Sequence, residues 1–252
     1  MTMPVIASKP RDQRRRRRKA GWSGLLYIAP AMALVTMFFV IPVLFTVWMS
    51  LHRWPLLGSP SWIGLRNYTR IFADARFFTA LGFTAHYTVI VTIAIFVVAF
   101  PLALFVEKPR PLVSTYRTII FLPVVVGLAS ASLLWVWLGN VDSGLFSPLF
   151  EMLGLTQGRL NLFATFDTAF LTIIVMVVWK IAGFTMVILL TGLQAIPAEL
   201  TEAARIDGAR RWQRFRHLTL PLMRKTLALA LILSITGSIL AFDQFYIMTT
   251  GN

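Results

Sequence analysis

The chain of 252 residues contains no cysteine, which excludes disulfide bonds, thiolate catalysis and cysteine-based metal sites. Its three histidines, His52, His86 and His217, lie far apart and show no metal-ligand spacing. No G-x-x-x-x-G-K-[S/T] phosphate loop is present, because none of the five lysines follows a glycine. No paired carboxylates or Ser/His/Asp set indicate hydrolysis. The sequence therefore predicts a non-catalytic chain, with neither catalytic residues nor a metal site.

Charged residues are also scarce, at 13% of the chain against about 25% in soluble domains. Four charge-free runs have 32, 30, 24 and 17 residues: Ala20–Leu51, Phe77–Val106, Thr118–Val141 and Thr226–Phe242. A fifth apolar stretch, Thr168–Ile196, is interrupted only by Lys180. About 20 apolar residues cross a bilayer, and such runs cannot be amphipathic on a solvated surface. The pattern predicts an all-α, polytopic transmembrane helical bundle with five spans rather than a soluble protein.

The predicted spans follow the apolar runs and the turn signals between them. We expect helices at about 22–51, 79–106, 116–139, 167–195 and 224–246. A short amphipathic helix is expected near Tyr68–Phe78. The prolines of Glu107–Pro111 predict a tight cytoplasmic turn. Residues 140–166 contain glycine and proline, and we predict that they form an external loop.

The N-terminus carries Arg14–Arg18 and Lys19 directly before the first apolar run. That run is about twice the length of a signal-peptide core, which predicts an uncleaved helix after a basic tail at 1–21. A net charge of +14 is also typical of proteins that bind nucleic acid. Here the basic run lies beside a membrane segment, so we predict that it contacts lipid headgroups and that the chain binds no nucleic acid. With the N-terminus inside, 18 lysines and arginines are cytoplasmic and five are external, so we predict a cytoplasmic N-terminus.

A charged island between the last two apolar segments carries a spaced motif. Glu202-Ala203-Ala204 is followed after three residues by Gly208, and after nine more by Leu218-x-Leu220-Pro221. Asp207-Gly208 favours a turn, so two short helices should meet at the glycine, with Trp212 and Phe215 on one side of the second helix. The alternative is a generic basic amphipathic loop.

This spacing resembles the EAA loop of binding-protein-dependent ABC importer permeases, the element that docks onto the ATP-hydrolysing subunit. The resemblance implies a cytoplasmic coupling loop at 197–222. It assigns ATPase coupling to Glu202, Ala203, Ala204, Asp207, Gly208 and Pro221.

Further segments are similar to the carbohydrate-uptake (maltose and glycerol-3-phosphate type) branch of these permeases. They include Leu26–Pro30, Trp48–Leu51, Ile63–Tyr68 and Phe242–Thr249, so the resemblance defines one transmembrane domain at 22–252. It implies a heterodimer with a second permease, two copies of an ABC ATPase subunit that bind ATP and Mg, and an extracytoplasmic solute-binding protein. This chain itself would bind no cofactor and would lie in a bacterial or archaeal cell membrane. Family members usually have a sixth helix, so the sequence looks truncated beside them.

Candidates for the solute path lie in the last two predicted spans. They are Lys180, Phe184, Ser234, Ser238 and Asp243. Lys180 lies roughly 18 Å into its helix, where an ionisable group is either functional or part of an ion pair. We hypothesise that Asp243 pairs with Lys180 in at least one transport state. The competing interpretation is that Lys180 contacts the solute directly, and the serines fit helix packing equally well.

The resemblance implies import of a sugar or related polar solute, with a glycerophosphate-type solute or a polyol as the alternative. A secondary transporter would need coupling-ion groups in the membrane and often shows an inverted repeat, which this sequence does not. A membrane scaffold protein would not explain the spacing of the EAA-like loop.

Overall fold

The structure is a computed structural model that describes residues 27–55, 57–154 and 161–249. The basic tail predicted at 1–21, the start of the first predicted helix at 22–26 and the chain end at 250–252 lie outside these ranges. The described chain is helical almost throughout, which confirms the predicted all-α class. It forms two compact units, Met1–Thr79 and Ala80–Asn252, whose boundary falls inside the domain predicted at 22–252.

The first apolar run forms α1, Tyr27–Ser50, a helix of 24 residues. Its middle contains a π-helical turn, Thr36–Val40, which ends two residues before Pro42. Because proline has no backbone N–H and its ring collides with the preceding turn, a widened turn accommodates it. The predicted helix at 22–51 is thus confirmed over the part that the structure describes.

Three short elements follow α1 in the first unit: β1 (His52–Arg53), β2 (Ser61–Trp62) and α2 (Arg66–Ala73). The two strands pair antiparallel, with His52 opposite Trp62. The amide Nδ2 of Asn67 donates to the carbonyls of Ser50 (2.8 Å) and His52 (3.0 Å), which fixes α2 against the end of α1. The predicted amphipathic helix at 68–78 is present as α2, and it ends earlier than expected.

The remaining helices carry the spans and the loops between them. In chain order they are α3 (Ala75–Glu107), α4 (Val113–Val125), α5 (Leu128–Leu138), α6 (Phe146–Met152), α7 (Phe166–Gln194), α8 (Ala198–Ile206), α9 (Arg211–Leu222), α10 (Arg224–Ile239) and α11 (Asp243–Thr249). By length and composition α1, α3 and α7 can each cross a membrane. The pairs α4–α5 and α9–α10, bent by 95° and 70°, raise the candidate spans in the described ranges to five.

Two helices that the sequence predicts to be continuous are each broken in the structure, so these two predictions are wrong. The helix predicted at 116–139 is broken between α4 and α5, where Val126 is extended (φ −69°, ψ 132°). Pro123, in the last turn of α4, removes one backbone donor, and extended Val126 then ends the helix. The helix predicted at 224–246 ends at Ile239, and α11 begins separately at Asp243, a residue type favoured in the first turn of a helix.

The core of the second unit is built around α7. Its start is capped by Thr165, whose Oγ1 accepts from the backbone N–H of Thr168 (3.3 Å). Of its 29 residues, 15 are buried, and it packs on α4, α5, α10 and α11. At Gly192 a Cβ atom would lie 2.8 Å from the Cβ of Thr226, so α7 and α10 approach closely at their loop-facing ends. One central helix therefore joins α4, α5, α10 and α11.

Candidate functional site

The predicted coupling loop consists of α8 and α9, which meet at Gly208 as expected. Gly208 has a positive φ of 76°, in the left-handed region that glycine enters without steric cost. Its N–H donates to the carbonyl of Arg205 (3.0 Å), and the N–H of Ala209 donates to that of Ala204 (2.9 Å). These two bonds form a Schellman motif, which satisfies the last carbonyls of α8 and fixes the direction of the chain after it.

The second helix of the loop is held by side chains from its own first turns. Gln213 Oε1 accepts from the backbone N–H of Arg210 (2.7 Å), and Arg214 Nη1 donates to the carbonyl of Ala209 (2.8 Å). The rings of Trp212 and Phe215 stack with centroids 5.5 Å apart, which confirms that they share one side of the helix. The loop is therefore a defined structure built from local contacts.

Most coupling residues predicted from the motif lie at the surface of this chain. Glu202, Ala203, Asp207, Gly208 and Pro221 are exposed, and Ala204 is half-buried. Pro221 lies in the last turn of α9, just before the bend to α10.

Large apolar side chains on the same loop are exposed, and one of them, Ile206, was missed by the sequence reasoning. Ile206 is 87% exposed and Trp212 is 65% exposed, and Leu200 is also exposed. The sequence carried a signal for this surface, because a large apolar residue within a charged loop indicates a contact surface when its side chain does not pack into the core. The loop thus presents apolar groups beside Glu202 and Asp207.

A hollow of about 690 Å³ lies between the loop and the adjacent ends of α3 and α7. Its charged lining contains both signs: Glu107, Lys108, Glu202, Arg205, Arg211 and Arg214. Glu202 is the one motif residue with a carboxylate at this hollow, so it lies where the loop faces the ends of the spans.

A second cavity, of about 280 Å³, lies among α3, α5, α7, α10 and α11. Three predicted solute-path residues line it, namely Phe184, Ser234 and Ser238. The sequence reasoning missed Tyr87 and Gln244, which supply further polar groups to the same wall. Apart from the hydroxyl of Thr185 the rest of the lining is apolar: Ile95, Leu128, Val177, Ile181, Ile188, Ala230, Leu233 and Gly237.

The polar groups of the cavity are buried and differ in their bonding. Ser238 Oγ donates to the carbonyl of Ser234 (2.8 Å), and Ser234 Oγ donates to Thr92 Oγ1 (3.4 Å). Gln244 Nε2 donates to Tyr87 Oη (3.3 Å), whereas Gln244 Oε1 has no hydrogen-bond partner in the described protein. The cavity wall therefore includes one buried amide that is only partly hydrogen-bonded within the described residues.

Lys180 is buried in α7 and does not line that cavity. Its Nζ donates to the carbonyls of Val126 and, more weakly, Val124 (3.4 Å), at the break between α4 and α5. Asp243 is exposed at the start of α11 and is not a partner of Lys180 here. The hypothesised pair is thus not formed in this structure, and its formation in another transport state stays a prediction.

Residues 87–252 match the family model of the binding-protein-dependent transport system inner membrane component. The match includes both the loop and the cavity-forming helices. The chain belongs to this family. It is a permease subunit of an ABC importer, a non-catalytic, multi-pass component of the cell membrane.

Curated relatives and solved structures agree with this membership. The trehalose/maltose transport system permease protein MalF of Thermococcus litoralis is 33% identical over 90% of this chain and 77% of its own length. A probable starch degradation products transport system permease protein, AmyD of Thermoanaerobacterium thermosulfurigenes, is 30% identical over 90% and 76%. A bacterial ABC transporter that imports the acidic polysaccharide alginate has the same fold, with a TM-score of 0.75, 21% identity and coverage of 94% of this chain and 83% of that chain.

Proposed function

We propose that this permease forms part of the translocation pathway for a sugar or related polar solute. The two curated relatives described above are named for trehalose or maltose and for starch degradation products. The cavity among α3, α5, α7, α10 and α11 combines aromatic and apolar walls with a few buried polar groups, as small-molecule sites do. Phe184, Ser234 and Ser238 are the solute-facing residues of this proposal. Lys180 and Asp243 lie outside the cavity lining.

The glycerophosphate alternative is less well supported by the same cavity. Its described lining contains no lysine, arginine or histidine, and Lys180 is occupied by backbone carbonyls. An anionic phosphate would need a cationic or dense N–H partner to offset its loss of water. A neutral sugar or polyol therefore fits the cavity better.

The energy for import is proposed to come from a separate subunit. In this assembly the chain pairs with a second permease, two copies of an ABC ATPase bind ATP and Mg, and an extracytoplasmic binding protein delivers the solute. The observation that carries this proposal is the coupling loop, where Glu202, Asp207 and the apolar Ile206 are exposed on and just after the helix that the Schellman turn at Gly208 ends. Glu202, Ala203, Ala204, Asp207, Gly208 and Pro221 are its proposed ATPase-coupling residues.

The test measures ATP-driven solute uptake by the complete reconstituted importer with Gly208→Val. A β-branched residue is strained at φ 76°, so the loop should change shape and uptake should fall by about tenfold or more, while the chain still inserts in the membrane. Gly154→Val is the matched control, because Gly154 has a similar φ of 70° but lies at the end of α6, outside the coupling loop.

Glu202→Lys tests the same contact through charge and should also impair uptake, since it reverses the sign of an exposed motif residue. Wild-type uptake by both loop variants would refute the coupling role. Uptake that persists without the ATPase or without ATP would instead indicate a secondary transporter.

A further inference from the structure

The segment that joins α1 to α3, residues 51–74, lies at a membrane surface. Both helices are long and apolar enough to cross a membrane, so the chain leaves the membrane after α1 and enters it again at α3. Besides the two bonds donated by the amide of Asn67, a hydrogen bond of 2.8 Å joins Tyr68 Oη to Ser50 Oγ. These contacts hold α2 beside the last turn of α1, and they stop the segment from projecting away from the membrane.

Aromatic rings form a continuous cluster at this end of α1. Trp48, in the last turn, lies with its ring centroid 5.6 Å from that of Phe45 and 5.5 Å from that of Trp54. The ring of His52 joins Trp48 (4.1 Å) to Trp62 (5.0 Å). The three tryptophans nevertheless stay exposed, and Trp62 is 65% exposed. Because the indole ring is apolar and its N–H is polar, tryptophan is stable at the boundary between acyl chains and water, and this cluster lies where the apolar helix ends.

The helix α2 is amphipathic, and none of its residues is buried. At about 100° per residue, Tyr68 and Phe72 lie on one side of the helix. Arg66 and Arg70 lie on the other side, roughly 160° around the axis. The hydrogen bond between Tyr68 and Ser50 turns the first side toward the end of α1, yet Phe72 is 66% exposed. The apolar side therefore lies toward the apolar span and is left uncovered by the described residues.

The charges of this segment are almost all positive. Between positions 52 and 76 the chain has four arginines, no lysine and one acidic residue, Asp74. The arginines are exposed, and no described residue accepts a hydrogen bond from their guanidinium groups or pairs with them: Arg53, Arg66, Arg70 and Arg76. Asp74 Oδ1 instead accepts from the backbone N–H of Arg76 (2.9 Å). Guanidinium groups beside a membrane are attracted by lipid phosphates, so charge complementarity favours phospholipid headgroups as the partner of this surface.

We propose that residues 51–74, together with the aromatic end of α1, form an interfacial module that binds phospholipid headgroups and prefers anionic lipids. The tryptophan cluster and Phe72 lie at the boundary between headgroups and acyl chains. Arg66 and Arg70, on the opposite side of α2, bind phosphate oxygens of the headgroups. Phosphates are present on both surfaces of a bilayer, so the proposal is independent of the orientation of the N-terminus.

The first test measures the membrane depth of the two sides of α2. The complete importer, with cysteine-free partner subunits, is placed in nanodiscs of phosphatidylcholine and phosphatidylglycerol. A fluorophore is attached to a single cysteine in this chain, which has none of its own. On the apolar side, Phe72→Cys and the neighbouring Leu65→Cys should be quenched by lipids that carry a nitroxide high on the acyl chain, and little by iodide in water. Arg70→Cys, on the other side of the same helix, should be quenched about threefold more strongly by iodide than Phe72→Cys.

The second test measures the lipid preference with the fluorophore at Phe72→Cys. A nitroxide on the headgroup of phosphatidylglycerol should quench about twofold more than a nitroxide on phosphatidylcholine. Arg66→Gln combined with Arg70→Gln should remove this preference, and so should about 1 M salt, because it screens the charges. Arg110→Gln combined with Lys225→Gln removes two exposed positive charges elsewhere in the chain and should leave the preference unchanged.

Two results of the first test would overturn the proposal. Equal quenching by iodide at positions 70 and 72 would place both sides of α2 in water. Protection of positions 65 and 72 from both quenchers would show that another protein subunit covers the apolar side. In the second test, absence of a preference for phosphatidylglycerol, or a preference that persists without Arg66 and Arg70, would contradict headgroup binding by these arginines.

Discussion

The backbone passes through the two helix bends in different ways. At the α9–α10 bend Met223 keeps helical angles, its N–H donates to Thr219 (3.0 Å), and its carbonyl accepts from Leu227 (2.8 Å). Backbone hydrogen bonding therefore continues through the 70° bend. At the α4–α5 bend the chain is extended at Val126, and the side chain of Lys180 bonds the carbonyls there.

The position of each bend in the chain explains the difference. The α4–α5 bend falls near the middle of residues 113–138, where a spanning pair has no water to satisfy freed carbonyls. The α9–α10 bend lies beside the charged loop, where water and headgroups are available. A lysine in an apolar helix can thus donate hydrogen bonds to unpaired backbone carbonyls of a neighbouring helix. These carbonyls lie at the C-terminal end of that helix, where a positive charge is favoured.

The largest effect on this comparison should come from Gly183→Ala. Gly183 lies one turn from Lys180, and a Cβ atom there would collide with the carbonyl oxygen of Ile120 and approach Phe121 Cα to 3.1 Å. These atoms are backbone, so α4 must move away from α7. We expect a loss of about 3 kcal/mol in stability, measured as a lower midpoint of thermal unfolding of the purified subunit.

Gly237→Ala is the control for that change. A Cβ atom at Gly237 would meet nothing within 4 Å, and alanine is the better helix former. Stability should be unchanged or slightly higher. Equal midpoints for the two alanine variants would contradict the close approach of α4 and α7.

A smaller loss is expected from Lys180→Met, which keeps the apolar stem but removes the donor. The carbonyls at the first bend would be left unpaired, at a cost of about 1–2 kcal/mol in the free energy of unfolding. Lys225→Met provides the matched change beside the second bend, where Lys225 is exposed and the backbone is bonded locally. It should change stability little. Similar losses in the two methionine variants would show that the bends do not differ.

The exchange Lys180→Asp with Asp243→Lys separates the carbonyl partners from the hypothesised ion pair. An aspartate at 180 cannot donate to the carbonyls of Val124 and Val126, so the exchange should not restore transport. Partial recovery relative to either single change would show that Lys180 and Asp243 do pair in another transport state.

Local signals allow the sequence to predict much of the fold and the loop. The apolar runs predict α3 and α7 to within a few residues, and Asp207-Gly208 predicts the turn that the Schellman bonds confirm. The break after Ile239 is different, because residues 240–242 are Leu, Ala and Phe and carry no turn signal. It depends on how α11 packs on α5 and α7.

Long-range contacts account for the parts that the sequence does not predict. Tyr87 and Gln244 are 157 residues apart, and nothing in either segment indicates the other. The partners of Lys180 are backbone carbonyls, which no residue type identifies. The depth of Lys180 along its helix therefore predicts that it needs a partner. An expected carboxylate partner indicates Asp243, whereas the partners in the structure are carbonyls at the α4–α5 bend.

Single cysteine substitutions can test whether each bend lies in water or in the membrane, and they should not alter stability. Since the chain has no native cysteine, single cysteines report accessibility directly. Val125→Cys lies beside the first bend, Lys225→Cys beside the second, and Ser143→Cys in the loop predicted to be external, and all three positions are exposed in the isolated subunit. A membrane-impermeant thiol reagent should label position 143 in intact cells, position 225 only after the membrane is opened, and position 125 in neither case. Labelling of position 125 from either side would place the first bend in water and remove the reason for its lysine, and labelling of 225 but not 143 in intact cells would reverse the predicted orientation of the N-terminus.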